Sequence, residues 1–291
     1  MYVFSYLNQS RFSTYKRMFQ KFNIILTAKR YSDSTISTYI GLLASYQQYL
    51  GHTRPIDRLD VSYLITTLRD FILIKHYAFN TQKQLISAVS LYYKEALSQD
   101  IDLSSLRPRS PQRVLPDILS TYEVKKILDH TTNLKHKAAL TTIYALGLRV
   151  GELIDLKLIA LDKKRNTITI KAAKGKKDRQ LPFPESLKPL LRKYYTKHQP
   201  VEYLFNGQSR QQYTAGSLRA VFKASCKKAH IKKKVTLHSL RHAYATHLMD
   251  AGTDLRIIQE LLGHSDIKTT MIYTHVTTRS IQQVKSPLDF L

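Results

Sequence analysis

Leu237-His-Ser-Leu-Arg-His-Ala-Tyr-Ala-Thr-His-Leu248, followed by Leu261-Leu-Gly-His-Ser265 and Met271-Ile-Tyr-Thr-His275, is the densest run of chemically versatile side chains in this chain of 291 residues. Its periodicity predicts helices over 239–251, 253–262 and 267–273, with Gly252 and Gly263 as stops for the first two. The first chemistry to test is metal binding. His238 and His242 are four apart and share a helical face, but the residues between them are Ser-Leu-Arg, with no Glu to serve as a base, and Arg241 would set a cation beside the metal. The single cysteine, Cys226, excludes an intramolecular disulfide and a multi-cysteine zinc site, and it lies among lysines without a clear partner. No Gly-x-Ser-x-Gly elbow is present, and nine glycines include no Gly-x4-Gly-Lys-Ser/Thr loop for ATP phosphates. Neither a cofactor nor a metal is expected.

Working outward, the period changes upstream. Thr167-Ile-Thr-Ile170 alternates polar and apolar residues, Lys174-Gly-Lys-Lys177 follows, and Gln180-Leu-Pro-Phe183 resumes, which predicts a β-hairpin with a basic tip. Helices are expected near 214–230, and near 133–146 with Gly147 as the stop. Ser120-Thr-Tyr-Glu123 has capping-box spacing before another. Further upstream, Leu106-Arg-Pro-Arg-Ser-Pro-Gln-Arg-Val-Leu-Pro116 holds three prolines and three arginines, an extended basic connector. Before it, Ile36, Tyr39, Ile40, Leu43, Tyr46 and Leu50 recur at helical spacing up to Gly51, Asp60 and Asn80 are candidate caps for two more helices, and an earlier helix is expected over 15–26. The expected architecture is mainly α with a small β-sheet: an N-terminal helical bundle of residues 1–106, a linker of 107–116 and a mixed α/β domain of 117–291.

The formal net charge is +25 and 43% of residues are apolar, so the chain can bury a sizeable core under a strongly cationic surface. Residues 1–110 contribute +7 and the remainder +18. Such a surface attracts a polyanion, with nucleic acid and an anionic membrane as the leading partners. Apolar clusters such as Phe71 to Ile74 are far short of the roughly 20 residues that span a bilayer. The start of the chain does not read as a signal peptide. A cytoplasmic protein facing nucleic acid, with no membrane partner, is the expectation.

Arginine, histidine, lysine and tyrosine together suit metal-free attack on a phosphodiester. Guanidinium forks match the non-bridging oxygens of a phosphoryl transition state, imidazoles donate hydrogen bonds or move protons, and a lysine can protonate a leaving 5′-oxygen. A phenol, of ordinary pKa about 10, becomes a usable nucleophile where cations stabilise its oxyanion.

Ala145-Leu-Gly-Leu-Arg-Val-Gly-Glu-Leu153, Lys174-Gly-Lys-Lys-Asp-Arg179, His238-Ser-Leu-Arg241 and Leu261-Leu-Gly-His264, with Tyr273 nine positions later, resemble in order and spacing the tyrosine recombinase (phage-integrase-like, XerC/XerD-like) family. The resemblance implies a SAM-like core-binding bundle followed by the recombinase catalytic domain, together forming a clamp on double-stranded DNA. It implies that Arg149 and Arg241 hold the scissile phosphate, that His238 and His264 hydrogen-bond it, that Lys174 is the general acid and that Tyr273 forms a 3′-phosphotyrosyl link needing neither ATP nor metal. Lys171, Lys176 and Lys177 are close enough to Lys174 for any of them to be a phosphate contact. Glu152, within one helical turn of Arg149, is expected to orient the site rather than react. His242, His247 and His275 are expected to pack or cap. The candidates for backbone contact are Arg107, Arg109, Arg113, Lys176, Lys177, Arg179, Lys232, Lys233 and Lys234.

In this family the segment after the nucleophile docks onto a neighbouring protomer in a synaptic tetramer of the recombinase or of a paralogous pair. Ser286-Pro-Leu-Asp-Phe-Leu291 carries apolar side chains for such docking. The expected role is Xer-like resolution of chromosome dimers or integration and excision of a mobile element. The alternatives are a non-catalytic architectural or regulatory DNA-binding protein, and relaxation of supercoils in the manner of type IB topoisomerases.

Overall fold

The computed structural model describes residues 17–51, 53–110, 117–171, 178–207, 212–264, 266 and 268–271. The chain divides into two compact units, Met1–Val114 and Leu115–Leu291.

The described part of the first unit is helical: α1 (Gln20–Ala28), α2 (Asp33–Leu50), α3 (Val61–Lys75) and α4 (Phe79–Ala96). Local chemistry sets most of the ends. Ser32 caps α2 by accepting from the Thr35 N–H, Gly51 ends it at φ +84°, and one Asp60 oxygen accepts from the Ser62 and Tyr63 N–H groups to start α3. Asn80 is not a cap. The helix begins one residue ahead of it, with Ala78 as N-cap and no side-chain bond there, so Asn80 lies in the first turn of α4. The first helix likewise runs to Ala28 rather than ending at residue 26.

Phe22, Leu26, Leu43, Leu64, Leu68, Phe71, Leu85 and Val89 fill the core of this unit. Its buried polar groups are paired. Tyr46 Oη shares a hydrogen bond with Thr67 Oγ1 (2.7 Å), Tyr93 Oη donates to the Ile56 carbonyl (2.6 Å), and Gln47 both donates to the Gly51 carbonyl and accepts from the Ile56 N–H (2.8 Å each).

The second unit comprises α5 (Thr121–Asp129), α6 (Leu134–Leu146), α7 (Val150–Ile154), β1 (Leu161–Asp162), β2 (Thr167–Ile170), β3 (Arg179–Pro182), α8 (Lys188–His198), α9 (Ala215–Lys228), α10 (His238–Asp250), α11 (Leu255–Leu262) and α12 (Lys268–Met271). Ser120 and Glu123 form a reciprocal capping box at α5. Asn133 caps α6, which carries buried residues around its circumference and packs against α5, α7, α8, α9 and α10. The sheet is antiparallel in the order β1-β2-β3, with Ile168 paired between Leu161 and Leu181, and Ile168, Ile170 and Leu181 turned into the core. β1 and α8 have no counterpart in the sequence reading. The short hairpin and helix ends of this unit bring residues from distant parts of the chain to one place.

Candidate active site

The site is assembled from helix termini. α6 ends at Gly147, in the left-handed region at φ +59°, and the chain turns at once into α7, whose N-cap is Arg149. A Cβ on Gly147 would sit 2.4 Å from the Tyr244 ring, so glycine is required both by the backbone and by the aromatic side chain packed over it. α11 ends at Gly263, φ +62°, and His264 follows. α10 runs past both ends and supplies His238 in its first turn and Arg241 one turn later.

Glu152, one turn into α7, is the centre of the charge network. Its side chain is 10% exposed and accepts four hydrogen bonds: from the Arg149 N–H (2.8 Å), Arg149 Nη1 (2.8 Å), Arg179 Nη1 (2.9 Å) and Arg179 Nη2 (2.9 Å). That fills the lone-pair capacity of a carboxylate. Arg241 Nη1 stands 3.5 Å from the same group. Burial alone would raise the Glu152 pKa, but the hydrogen bonds from Arg179 and the Arg149 amide, with the charges of Arg179 and Arg241, hold it down at about 2.

Three guanidiniums around one carboxylate leave an excess of positive charge, and the carbonyl ends of helices meet it. Arg241, wholly buried, donates to the Gly147 carbonyl (2.7 Å) and the Leu262 carbonyl (2.6 Å). Arg179 Nε donates to the Leu261 carbonyl (2.8 Å), and Arg149 Nη1 lies 3.5 Å from that of Leu262. Cations at helix C-termini satisfy the orphan carbonyls and complement the helix dipole.

His264 completes the cluster. Arg241 Nη2 lies 2.9 Å from its Nε2 and Thr270 Oγ1 lies 3.0 Å from its Nδ1. A guanidinium only donates, so Nε2 accepts and the proton resides on Nδ1, facing Thr270. Burial, then the nearby Arg241, Arg149 and Arg179, push the His264 pKa down to about 4. His238 stacks edge-on against His242, ring centroids 4.4 Å apart, and both lie below the ordinary imidazole range. The causes at His238 are desolvation of its covered side and the charges of Arg241 and Arg149; His242, buried deeper, is held at about 4. Cys226 is inert by contrast, since burial pushes its thiol up to about 11.

Arg149 and Glu152 therefore meet Arg241 and His264 from a separate stretch of the chain, with His238 beside them. Lys174, Lys176, Lys177, Arg113 and Tyr273 lie outside the described residues, as does the tail at 281–291. One candidate for DNA backbone contact lies off the surface. Arg179 is not a surface cation: its side chain is 9% exposed and fork-bonded to Glu152. Strand alternation carries this signal, because Arg179 shares the inward face of β3 with buried Leu181. Lys233 is exposed and also bonded to the Ile118 carbonyl (2.7 Å) and Glu123 (2.6 Å). Arg107, Arg109, Lys232 and Lys234 are exposed. Thr270 was not singled out in the sequence; a buried hydroxyl has no period that marks it.

The geometry has clear relatives. Residues 117–280 match the phage integrase family and residues 18–103 match the N-terminal SAM-like domain of phage integrases. The tyrosine recombinase XerD of Oceanobacillus iheyensis is 33% identical over 285 residues, spanning 90% of this chain and 94% of that protein. Among solved structures, the XerH site-specific recombinase bound to a palindromic difH substrate in a post-cleavage complex has TM-score 0.68 and 23% identity, covering 87% of this chain and 80% of the other. A lambda integrase tetramer bound to a Holliday junction has TM-score 0.70 and 16% identity, covering 88% and 75%. With a family match over residues 117–280 and a XerD relative aligned over nearly the full length, the chain belongs to the phage integrase family of tyrosine site-specific recombinases.

Proposed function

We propose that this recombinase cleaves and rejoins duplex DNA at a specific site through a 3′-phosphotyrosyl intermediate on Tyr273. The tyrosine hydroxyl gives up its proton to solvent as its oxygen attacks phosphorus, the P–O bond to the 5′-oxygen breaks, and Lys174 gives that oxygen a proton. Attack by a partner strand's 5′-hydroxyl reverses the exchange and releases the tyrosine. Because the phosphodiester bond is conserved in the covalent link, neither ATP nor metal is needed.

The observation that carries this reading is the convergence of Arg149, Arg241 and His264 on one place, where Glu152 offsets only part of the positive charge. Arg149, a third exposed, meets the phosphate first. Arg241 is enclosed in the DNA-free chain, so it engages by exchanging a helix-end carbonyl for a phosphate oxygen, a stronger, charge-assisted acceptor. His264 then gains an anion beside it, which favours its protonated form and turns Nε2 from acceptor into donor. His238 donates from the open side. XerH engages its site as a DNA complex and lambda integrase as a tetramer on a Holliday junction. We read this chain as working likewise, as a self-associated complex on synapsed DNA, in Xer-like dimer resolution or mobile-element exchange.

The test is a strand-exchange assay with two duplexes carrying the target site. The wild-type chain should yield recombinant strands without ATP or divalent metal, and Tyr273→Phe should bind the same duplex and yield none. Relaxation of supercoiled DNA without exchange between duplexes would favour topoisomerase-like activity instead.

A further inference from the structure

We propose that Arg179 is a positioning residue for DNA cleavage: from β3, the returning strand of the hairpin, it fixes the carboxylate of Glu152 and the carbonyl end of α11 so that Arg149 and Arg241 stay available to the scissile phosphate. The inference rests on the cleavage reading above and assigns a role to a side chain that itself stays away from the DNA.

Four observations carry it. Arg179 meets Glu152 through both Nη atoms at 2.9 Å, a parallel fork that fixes the carboxylate plane as well as its position. Its Nε reaches the Leu261 carbonyl at 2.8 Å, one residue before the carbonyl held by Arg241. Gly263 closes over it, and a Cβ there would lie 3.1 Å from Arg179 Cδ and Nη1. Finally, Arg179 occupies two of the four acceptor positions on Glu152, whose others are taken by Arg149.

The consequence follows from the donor count. A buried carboxylate that loses two hydrogen bonds recruits the nearest donors, since leaving it unpaired is costly. The nearest is Arg241 Nη1, already 3.5 Å away, and the next is the remaining guanidinium of Arg149. Both are expected phosphate ligands. Arg179 thus keeps the carboxylate saturated, and the phosphate-binding pair is not drawn inward. It also ties β3 to the carbonyl end of α11, directly ahead of the turn bearing His264.

The test uses the full chain and a nicked suicide duplex, with single-turnover formation of the covalent adduct, duplex affinity and thermal melting measured for each variant. Arg179→Met keeps the length of the side chain and removes the fork. It should form adduct about 10–100-fold more slowly, with duplex affinity within about threefold of wild type. Arg179→Lys, which restores charge but offers a point contact rather than a fork, should fall between the two and guards against misfolding of the methionine variant. The readout that a packing role would not move is the double variant. Glu152→Gln in the Arg179→Met background removes the unsatisfied carboxylate, so the two losses should be strongly non-additive, with the double variant no slower than Arg179→Met. Wild-type cleavage rates in both single Arg179 variants, or losses that simply multiply, would overturn the proposal. The wild-type chain on the same substrate is the control: absence of any adduct there counts against the cleavage reading itself.

Discussion

Glu152 shows how a single side chain couples stability to the site. Its folded pKa of about 2 lies below the ordinary 4.5. A depressed carboxylate contributes stability that is fully present above its unfolded pKa and is lost as the pH falls through the folded one. The size of the depression corresponds to roughly 3 kcal/mol. Glu152→Gln should therefore unfold more easily at pH 7 by about that amount, and the gap should close between about pH 5 and pH 2. Denaturant titrations at several pH values measure this; a gap independent of pH would show that the carboxylate's charge is not what holds the arginines. His264 acts in the same direction. Its neutral form is favoured in the folded chain, so stability declines as pH falls from about 6.5 towards 4. NMR of the imidazole nitrogens should find His264 neutral at pH 6, protonated on Nδ1, and titrating near 4 in the free chain. Binding of uncleaved duplex to Tyr273→Phe should raise that value. A free-chain value at or above 6.5 would contradict the arrangement of Arg241 on Nε2.

Helix ends are the elements that make the site, and their punctuation is where the sequence was most legible. Gly147, Gly263, Asp60 and the Ser120–Glu123 box were readable because each acts through its own neighbours in the chain. Gly147→Ala tests this: the left-handed backbone and the Tyr244 ring together should cost about 2–4 kcal/mol, measured as a lowered melting temperature. A variant as stable as wild type would mean that the turn between α6 and α7 can relax. Other elements were hidden for physical reasons. α8 buries only Leu191 and Tyr194 within a run of basic and polar residues, so its apolar stripe is too thin to announce a helix. β1 is two residues long and exists through pairing with β2. Arg179 follows a basic run that reads as one surface cluster, whereas strand alternation turns it inward to Glu152. Of the site, the order of Arg149, Glu152, His238, Arg241 and His264 was legible. The carbonyls of Gly147, Leu261 and Leu262 were not, since backbone acceptors leave no mark on composition.

For the whole molecule, the +25 net charge is the largest single property, and the cluster around Glu152 gathers only a few of those cations. The rest, including exposed Arg107, Arg109, Lys232 and Lys234, are available for phosphate contacts that add affinity without reading sequence. Duplex affinity should accordingly fall by about 10³-fold or more between 50 and 200 mM salt. A shallow dependence, measured by fluorescence anisotropy, would mean that most of the surface charge is not in contact with DNA. The central claim, however, concerns one bond. Trapping the wild-type chain on a nicked suicide duplex, digesting the DNA and protein, and sequencing the nucleotide-bearing peptide by mass spectrometry locates that bond directly. The expected result is a 3′-phosphate linked to Tyr273 and to no other side chain, absent from Tyr273→Phe. A covalent nucleotide on any other residue, or an undiminished adduct in Tyr273→Phe, would contradict the account.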